Sequence, residues 1–341
     1  MKKKWTRLLS VLLAVVLTLS VLPASVLAIG WQDLWNLWNP WTDTTEPAED
    51  TTDIAPQSGS VDSKYKFNIL FLDCGRKYYS VDSIEQIIDN GAAAGFNYIQ
   101  LAVGNDGLRF LLDDMSLTVN DTVYASDDIK NAINSGNNTY NSGVSYYPTT
   151  NALNQFEMDS IIAYANSKDM GVIPCINTPG HMDAILSAAT SLTGTDCSYN
   201  GSVRTIDVTN STAVDFTKAL LQKYLTYFAG KGCKYFNMGA DEYANDKYTT
   251  GSMGFGNLVN SGKYSYYITY VNGLNTLIKN AGMTAMAFND GFYFNGNTYS
   301  GTLDKDILVC YWSSGWGGYE PMSASNLASM GYQLINTHGD Y

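Results

Sequence analysis

The sequence has few histidines, few basic residues and no cysteine spacing typical of a metal site. Only 2 of its 341 residues are histidines, and His181 and His338 are not spaced as metal ligands. The 20 lysines and arginines are outnumbered by 32 aspartates and glutamates, which gives a formal net charge of -12. This charge argues against binding to nucleic acid or to an anionic membrane surface. We therefore expect neither of these partners, no metal ion and no other cofactor.

The cysteines are too few and too irregular to suggest a disulfide framework. Their number is odd, and most of them lie in or beside apolar segments. Buried free thiols are therefore the better prediction, even for an exported protein. They are Cys74, Cys175, Cys197, Cys233 and Cys310.

Residues 1–28 are typical of a secretory signal peptide. Basic residues precede an apolar run from Leu8 to Leu22, and small residues then permit cleavage after Ala28. The run is shorter than the roughly 20 residues of a membrane-spanning helix, which favours export with cleavage over a membrane anchor. Residues 29–63 begin rich in tryptophan and become an acidic Thr/Pro/Ser tract, which predicts a linker. We expect a secreted or cell-surface protein without a membrane span after cleavage.

From residue 64 onward, short apolar segments alternate with amphipathic ones. Strands are predicted in KFNILFLDC, FNYIQLAV, GVIPCIN, YFNMG, TAMAFND, DILVCYW and YQLIN, with helices after most of them. This alternation predicts parallel strands joined by right-handed crossovers. A doubly wound sheet would alternate in the same way, but here polar and aromatic residues follow the strand ends, as on the catalytic rim of a barrel. We predict an α/β fold, a (β/α)8 TIM barrel over residues 64–341, with the sequence ending after the seventh strand.

The segment KYFNMGADEYAND, residues 234–246, places two carboxylates side by side after the fourth strand. Neighbouring side chains of an extended strand point to opposite faces, so a continuing strand could not direct both into the barrel. Gly239 and Ala240 can end the strand and let Asp241 and Glu242 both turn toward the pocket. The neighbouring carboxylate and partial burial are expected to raise the pKa of Glu242 toward neutrality, which suits a general acid.

Several segments resemble glycoside hydrolase family 20. FNMGADEYAND resembles its strand-four segment with the Asp-Glu pair, and INTPGHMDAIL resembles its Pro-Gly-His segment after strand three. LDCGRKYYS resembles the segment after strand one that carries a sugar-binding arginine, and LAVGNDGLRFLLDDM, AFNDGFYFN and YWSSGWGGY continue the likeness. Each motif alone is weak, but the ordered set from about residue 67 to the last residue is specific. It points to bacterial cell-surface β-N-acetylhexosaminidases.

The resemblance implies removal of terminal β-linked N-acetylhexosamine (GlcNAc or GalNAc) from glycans, by a retaining, substrate-assisted mechanism through an oxazolinium intermediate. Glu242 would protonate the leaving oxygen and later deprotonate water, and Asp241 would accept the acetamido N–H and stabilise its charge. The resemblance also implies substrate-binding roles for Arg76, which would hold sugar hydroxyls, for His181 beside Glu242, for Trp312 as a wall of the acetamido pocket, and for Asp290, Trp316 and Tyr341.

Several alternatives stay open. A lacto-N-biosidase of the same family would release a disaccharide, and a catalytically silent barrel would only bind carbohydrate. The carboxylate that supports His181 is either Asp106 or absent. Arg109 is expected to be structural and to pair with Asp113 or Asp114. The tryptophans of YWSSGWGGY could belong to the core instead of a sugar platform.

Overall fold

The computed structural model describes residues 67–139, 148–249, 252–315 and 320–337. The predicted signal peptide (1–28), the predicted linker (29–63), Trp316 and Tyr341 lie outside these residues. Within the described ranges, none of the helices combines the length and the apolar character needed to cross a bilayer.

Seven parallel strands form the centre of the fold. They are β1 (Ile69–Asp73), β2 (Tyr98–Asn105), β3 (Gly171–Thr178), β4 (Tyr235–Gly239), β5 (Thr284–Phe288), β6 (Leu308–Tyr311) and β7 (Gln333–Asn336). They pair in chain order from β1 to β7, each parallel to its neighbours. A doubly wound sheet would reverse its strand order at a switch point, so the observed order confirms the predicted barrel topology. The seven strands are also those predicted from the sequence.

Helices follow the strands. They are α1 (Val81–Ala93), α2 (Ser126–Asn137), α3 (Gln155–Ser167), α4 (Asp183–Thr193), α5 (Ser211–Gly230), α6 (Phe255–Asn260), α7 (Tyr264–Asn280) and α8 (Ala324–Ser329). Five of them confirm predicted helices, whereas α2, α4 and α6 were not predicted. Helix α2 belongs to the long segment after β2, which also contains an antiparallel hairpin of Leu117–Val119 with Thr122–Tyr124.

Local sequence sets where the principal helices begin. The Ser80 side chain accepts a hydrogen bond from the Ser83 N–H at the start of α1. At the start of α3, Asn154 and Glu157 form a reciprocal capping box. At the start of α5, the side-chain oxygen of Asn210 accepts the backbone N–H groups of Thr212 and Ala213. These caps satisfy N–H groups that have no partner inside the helix.

The barrel interior has an apolar floor at the amino ends of the strands. Phe67, Tyr98 and Tyr235 contact one another there, with ring centroids 5.1 to 5.7 Å apart. Next to them lies a small cluster formed by Ile173, Met286, Leu308 and Cys310. Polar side chains take over toward the carboxyl ends of the strands, where Asn177 and Asn237 are buried. The interior of the barrel is therefore apolar at the amino ends of the strands and polar at their carboxyl ends.

The cysteines are distributed over the core as single thiols. All five lie among the described residues, and each is free and buried. The prediction of buried free thiols instead of disulfides is confirmed.

Arg109 is structural, but its partners differ from those expected. Its side chain is 1% exposed, and its nitrogens donate to the carbonyl oxygens of Gly75 and Thr149, each at 2.8 Å. Asp114 instead pairs with Lys223 at 2.7 Å. The arginine thus connects the loop after β1 to the long segment after β2, which no local spacing could indicate.

Candidate active site

Strand β4 ends at Gly239, and the residues after it leave the extended conformation. Gly239, Ala240 and Glu242 have φ values of +73°, +66° and +45°, in the left-handed region. The turn brings an oxygen of Asp241 to 3.7 Å and one of Glu242 to 2.9 Å from His181 Nε2. The prediction that the strand ends here and lets both carboxylates face the same site is confirmed.

Asn177, which was not identified from the sequence, orients Asp241. Its Nδ2 donates to Asp241 Oδ1 at 2.7 Å. A Cβ at Gly239 would lie 1.9 Å from Asn177 Oδ1, so this close approach of β3 and β4 requires glycine. Asn177 is 3% exposed at the carboxyl end of β3, and its position in a strand-end polar segment was the available indication.

His181 lies between two carboxylates. Its Nδ1 is 2.8 Å from Asp106 Oδ1, and its Nε2 is 2.9 Å from Glu242 Oε2. The Asp106 backbone N–H also donates to the His181 carbonyl oxygen at 2.7 Å. A Cβ at Gly180 would lie 2.7 Å from the Asp241 carbonyl oxygen, so glycine allows this loop to pack against the turn after β4. Asp106 is therefore the supporting carboxylate, and the alternative without one is wrong.

Arg76 contacts Asp106 and also lies beside His181. Its Nε donates to Asp106 Oδ2 at 2.8 Å, and its Nη1 is 3.4 Å from Asp73 Oδ2. Asp73 also accepts the backbone N–H of Arg76 at 3.0 Å, which fixes the turn that follows β1. The Arg76 side chain is 35% exposed. Its guanidinium is therefore held by carboxylates on one edge and is partly accessible to a ligand. This placement fits the predicted contact with sugar hydroxyls.

Asp290 uses both carboxylate oxygens inside the protein. Oδ2 accepts the Glu242 backbone N–H at 2.7 Å, and Oδ1 accepts the Trp312 indole N–H at 3.0 Å. Asp290 is 0% exposed. It therefore positions Glu242 and Trp312, and the direct substrate contact predicted for it stays a prediction.

Asn289 fixes the backbone beside Trp312 and was also missed. Its Oδ1 accepts the backbone N–H groups of Trp312 and Ser313 at 2.8 and 3.2 Å, and its Nδ2 donates to the Ser313 carbonyl oxygen. This fully buried amide joins the ends of β5 and β6. The indole of Trp312 is thus held by Asp290, which also accepts the Glu242 N–H, and its role as a wall of the pocket stays a prediction.

The charges of the site are set by burial and by these hydrogen bonds. Burial lowers the pKa of His181, but its bonds to Asp106 and Glu242 outweigh burial and raise the pKa well above 6.5. Burial raises the pKa of Glu242, but the hydrogen bond and charge of His181 outweigh it and lower the pKa below 4.5. The predicted upward shift for Glu242 is therefore wrong, because its nearest partner is an imidazolium and not a carboxylate.

Asp241 shows the opposite balance. Burial raises its pKa, the charge of His181 opposes this only in part, and the neighbouring Glu242 raises the pKa further. The adjacent carboxylates thus have pKa values shifted in opposite directions by their environments. Such a division is typical of sites in which paired carboxylates take different roles.

The same three side chains could also reach a metal ion. One ligand atom each from His181, Asp241 and Glu242 lies within 4.8 Å of the others. The imidazole and Glu242 already share a hydrogen bond, so a cation would have to replace the proton between them. The arrangement therefore allows either a proton or a cation at this place, and the expectation of no metal stays a prediction.

Comparisons with known proteins agree with this geometry. The family description "Glycosyl hydrolase family 20, catalytic domain" matches residues 65–341. Among curated proteins, the lacto-N-biosidase of Bifidobacterium bifidum is 29% identical over 248 residues. The match covers 70% of this chain and 20% of that protein, so the chain spans about a fifth of the relative's length.

Solved structures are similar over most of the chain. Two structures of the pneumococcal exo-β-D-N-acetylglucosaminidase StrH are 43% identical to it, with TM-scores of 0.74 and 0.73, and each covers 80% of this chain. The chain spans 65% and 64% of the lengths of those two solved chains. The β-N-acetylhexosaminidase of Streptomyces coelicolor is 21% identical with a TM-score of 0.55, over 80% of this chain and 48% of that one. The last likeness shows the barrel fold alone.

Proposed function

This chain belongs to glycosyl hydrolase family 20, and on that premise we propose that it removes terminal β-linked N-acetylhexosamine from glycans. The observation that supports this most is the chain of hydrogen bonds from Asp106 through His181 to Glu242. Asn177 holds Asp241 beside it. Together these residues supply a proton donor and a second, separately oriented carboxylate. The names of the StrH structures, an exo-β-D-N-acetylglucosaminidase, support the same substrate class.

The proposed reaction retains the anomeric configuration. Inverting glycosidases separate their two carboxyl groups by roughly 6.5–9.5 Å to admit a water molecule. Here one oxygen of Asp241 and one of Glu242 lie within 4.8 Å of each other, which disfavours that geometry. The pair would instead serve adjacent parts of one sugar, the glycosidic oxygen and the 2-acetamido group.

In the first step, the acetamido oxygen of the substrate attacks the anomeric carbon. The bond to the leaving oxygen breaks, and that oxygen takes a proton from Glu242. Asp241 accepts the acetamido N–H, orients the group and stabilises the positive charge of the oxazolinium ion. Arg76 holds hydroxyls of the same sugar and Trp312 borders the acetamido group.

The proton reaches Glu242 from His181. Bound sugar would cover the Glu242 side chain, which is 25% exposed. The added burial favours the neutral acid, so the proton moves along the 2.9 Å hydrogen bond from the imidazole to the carboxylate. In the second step Glu242 accepts a proton from water as the water oxygen attacks the anomeric carbon, which opens the oxazolinium ring with net retention.

A lacto-N-biosidase is the second candidate, because a protein of that name is 29% identical to this chain. It would share the carboxylate roles and differ only in accepting a disaccharide on the non-reducing side of the bond. We further propose that the protein is secreted or displayed on a bacterial cell surface, supported by the signal-like sequence of residues 1–28. Fractionation of the source cells tests this location.

The test uses the full-length protein with two chromogenic substrates. We measure release of p-nitrophenol from its N-acetyl-β-glucosaminide and from its β-lacto-N-bioside, for the wild type, Glu242→Gln and the control Glu85→Gln in α1. Cleavage of the monosaccharide substrate, lost only in Glu242→Gln, is the expected result. Cleavage of the disaccharide substrate alone would indicate a lacto-N-biosidase. A folded protein that binds sugar and cleaves neither would be a carbohydrate-binding barrel, and the catalytic proposal would be wrong.

A further inference from the structure

Residues 202–206 form a short segment that is bonded to the loop after Glu242. The Ser202 hydroxyl and the Val203 N–H donate to the two carboxylate oxygens of Asp246, at 2.7 and 3.0 Å. The Thr205 hydroxyl oxygen accepts the Ala244 N–H at 3.0 Å. The segment is therefore fixed along the residues that directly follow the proposed acid.

The same segment is bonded to the loop that carries His181. The Met182 N–H donates to the Arg204 carbonyl oxygen at 2.8 Å, and the Ile206 N–H donates to the Pro179 carbonyl oxygen at 3.0 Å. Arg204 therefore lies between the loops of His181 and Glu242, with its backbone held on both sides. Its position is a property of the fold and not of a flexible tip.

Arg204 differs from the other arginines of the described residues in having no side-chain partner there. Arg76 bonds to Asp106, and Arg109 bonds to backbone carbonyl oxygens. Nε of Arg204 is buried without a hydrogen-bond partner, and no salt bridge joins its guanidinium to a described carboxylate. Leaving a buried donor unpaired costs about 1–3 kcal/mol. Arg204 as a whole is only half-buried, so the rest of its guanidinium is open to a ligand that accepts hydrogen bonds.

The location of Arg204 relative to Glu242 indicates which part of a ligand it would meet. Arg76 approaches His181 from the Asp106 side, with Nη2 3.3 Å from His181 Nδ1, and is suited to the terminal sugar. Arg204 belongs to the segment that is bonded to the loop after Glu242, and its charge contributes to the lowered pKa of that carboxyl. Because Glu242 must contact the glycosidic oxygen, a cation on this side lies beside the leaving group.

We propose that Arg204 binds the sugar on the leaving-group side of the cleaved bond, by donating hydrogen bonds to its oxygen atoms. This inference rests on the proposed function, and it adds that the protein distinguishes saccharide leaving groups from aryl ones. A guanidinium fork can bind two sugar oxygens at once, whereas a p-nitrophenyl group offers only the weak acceptors of its nitro group, on the far side of the ring from the glycosidic oxygen. Arg204 thus determines specificity and leaves the chemical step itself to Glu242.

The experiment compares two substrates with the same terminal sugar. The full-length wild type, Arg204→Gln and Arg204→Lys are assayed with a β-linked disaccharide of N-acetylglucosamine and with p-nitrophenyl N-acetyl-β-glucosaminide. Lys305→Gln, before the amino end of β6, controls for loss of one positive charge. We expect Arg204→Gln to lower kcat/KM for the disaccharide about 10-fold, mainly through KM, and for the aryl substrate less than about 2-fold. Arg204→Lys should fall between Arg204→Gln and the wild type.

Two outcomes would overturn the proposal. Equal losses on both substrates, with the pH profile shifted upward, would mean that Arg204 acts through the pKa of Glu242. Unchanged kinetics on both would mean that it touches no substrate. If the wild type cleaves neither compound, the proposed function fails, and calorimetric binding decides about Arg204 alone. Arg204→Gln should then weaken binding of the disaccharide about 10-fold and binding of free N-acetylglucosamine less than about 2-fold. An unchanged affinity for the disaccharide would refute the role proposed for Arg204.

Discussion

The substitution Asp106→Asn isolates the charge that holds His181. Both oxygens of this buried carboxylate are acceptors, from His181 Nδ1 and from Arg76 Nε, each at 2.8 Å. Asparagine offers one acceptor oxygen and one NH₂ donor. We expect the oxygen to turn to Arg76, whose charge is permanent, so that the NH₂ group faces Nδ1. An imidazole that accepts a hydrogen bond at Nδ1 must be neutral. His181 then no longer holds the proton that it would pass to Glu242.

The effect on stability follows from exchanging one charge-assisted hydrogen bond for a neutral one. Charge-assisted bonds contribute about 1.5–3 kcal/mol and neutral ones about 1 kcal/mol. The free energy of unfolding should therefore fall by about 1–2 kcal/mol, which lowers Tm by about 2–8 °C for a domain of this size. The effect on activity should be larger, because general acid catalysis contributes about 10²–10⁴-fold. We expect kcat/KM to fall by about 10²-fold or more.

The pH dependence distinguishes this mechanism from simple damage to the fold. The His181 pKa is raised above 6.5 by groups that face it, namely Asp106, Glu242 and Asp241. Its charge thus stabilises the wild type fully below about pH 6.5, and this stabilisation is lost as the pH rises through the higher folded pKa. In Asp106→Asn this loss of Tm with rising pH should be absent, and the alkaline limb of kcat/KM should move to lower pH.

The measurements are kcat/KM and Tm for both proteins from acidic to alkaline pH. Asp159→Asn is the matched control, because Asp159 also accepts two side-chain hydrogen bonds, from Tyr227 and Lys231, outside the site. The control should keep its kcat/KM and pH profile. The reasoning would be refuted by an Asp106→Asn protein with kcat/KM within about threefold of wild type and an unmoved alkaline limb.

Three further predictions concern the residues around the carboxylates and the thiols. Gly239→Ala should lose activity and Tm together, because φ is +73° and the new Cβ would lie 1.9 Å from Asn177 Oδ1; wild-type values of both would contradict this. Asp241→Asn should lower kcat/KM about 10²-fold without lowering Tm, since burial raises the pKa of Asp241 and disfavours its charge; a large drop in Tm would argue against it. Native protein should react slowly with a disulfide thiol reagent, as burial raises the pKa of Cys233 and Cys310 to about 12, and rapid native labelling of any cysteine would disagree.

The strands could be predicted because their evidence is local. Each is a short apolar run, and the polar residues that follow it mark the carboxyl end of a barrel strand. Helix α4 was not predicted from the sequence DAILSAATSLT. Most sides of this helix are buried, including Asp183, Ile185 and Leu186. A helix that is apolar around its circumference has no amphipathic period to detect.

The two adjacent carboxylates and the histidine of the site were predictable from the sequence, but its charges and its buried amides, Asn177 and Asn289, were not. Asp241 and Glu242 are neighbours in a motif, so their proximity to each other needed no fold. The pKa of Glu242 depends on His181, 61 residues away in the sequence, and His181 depends on Asp106, a further 75 residues away. The same distance in sequence hid the role of Asp290, whose bond to the Glu242 N–H spans 48 residues.

The left-handed backbone at the site sets local stability against the proposed chemistry. Ala240, Glu242, His181 and Ala244 all have positive φ values between +45° and +66°. A left-handed conformation costs a residue with a Cβ roughly 1–2 kcal/mol. Replacing these residues with glycine or asparagine should therefore relieve backbone strain. At Glu242 and His181 the same replacement would remove the groups on which the proposed chemistry depends.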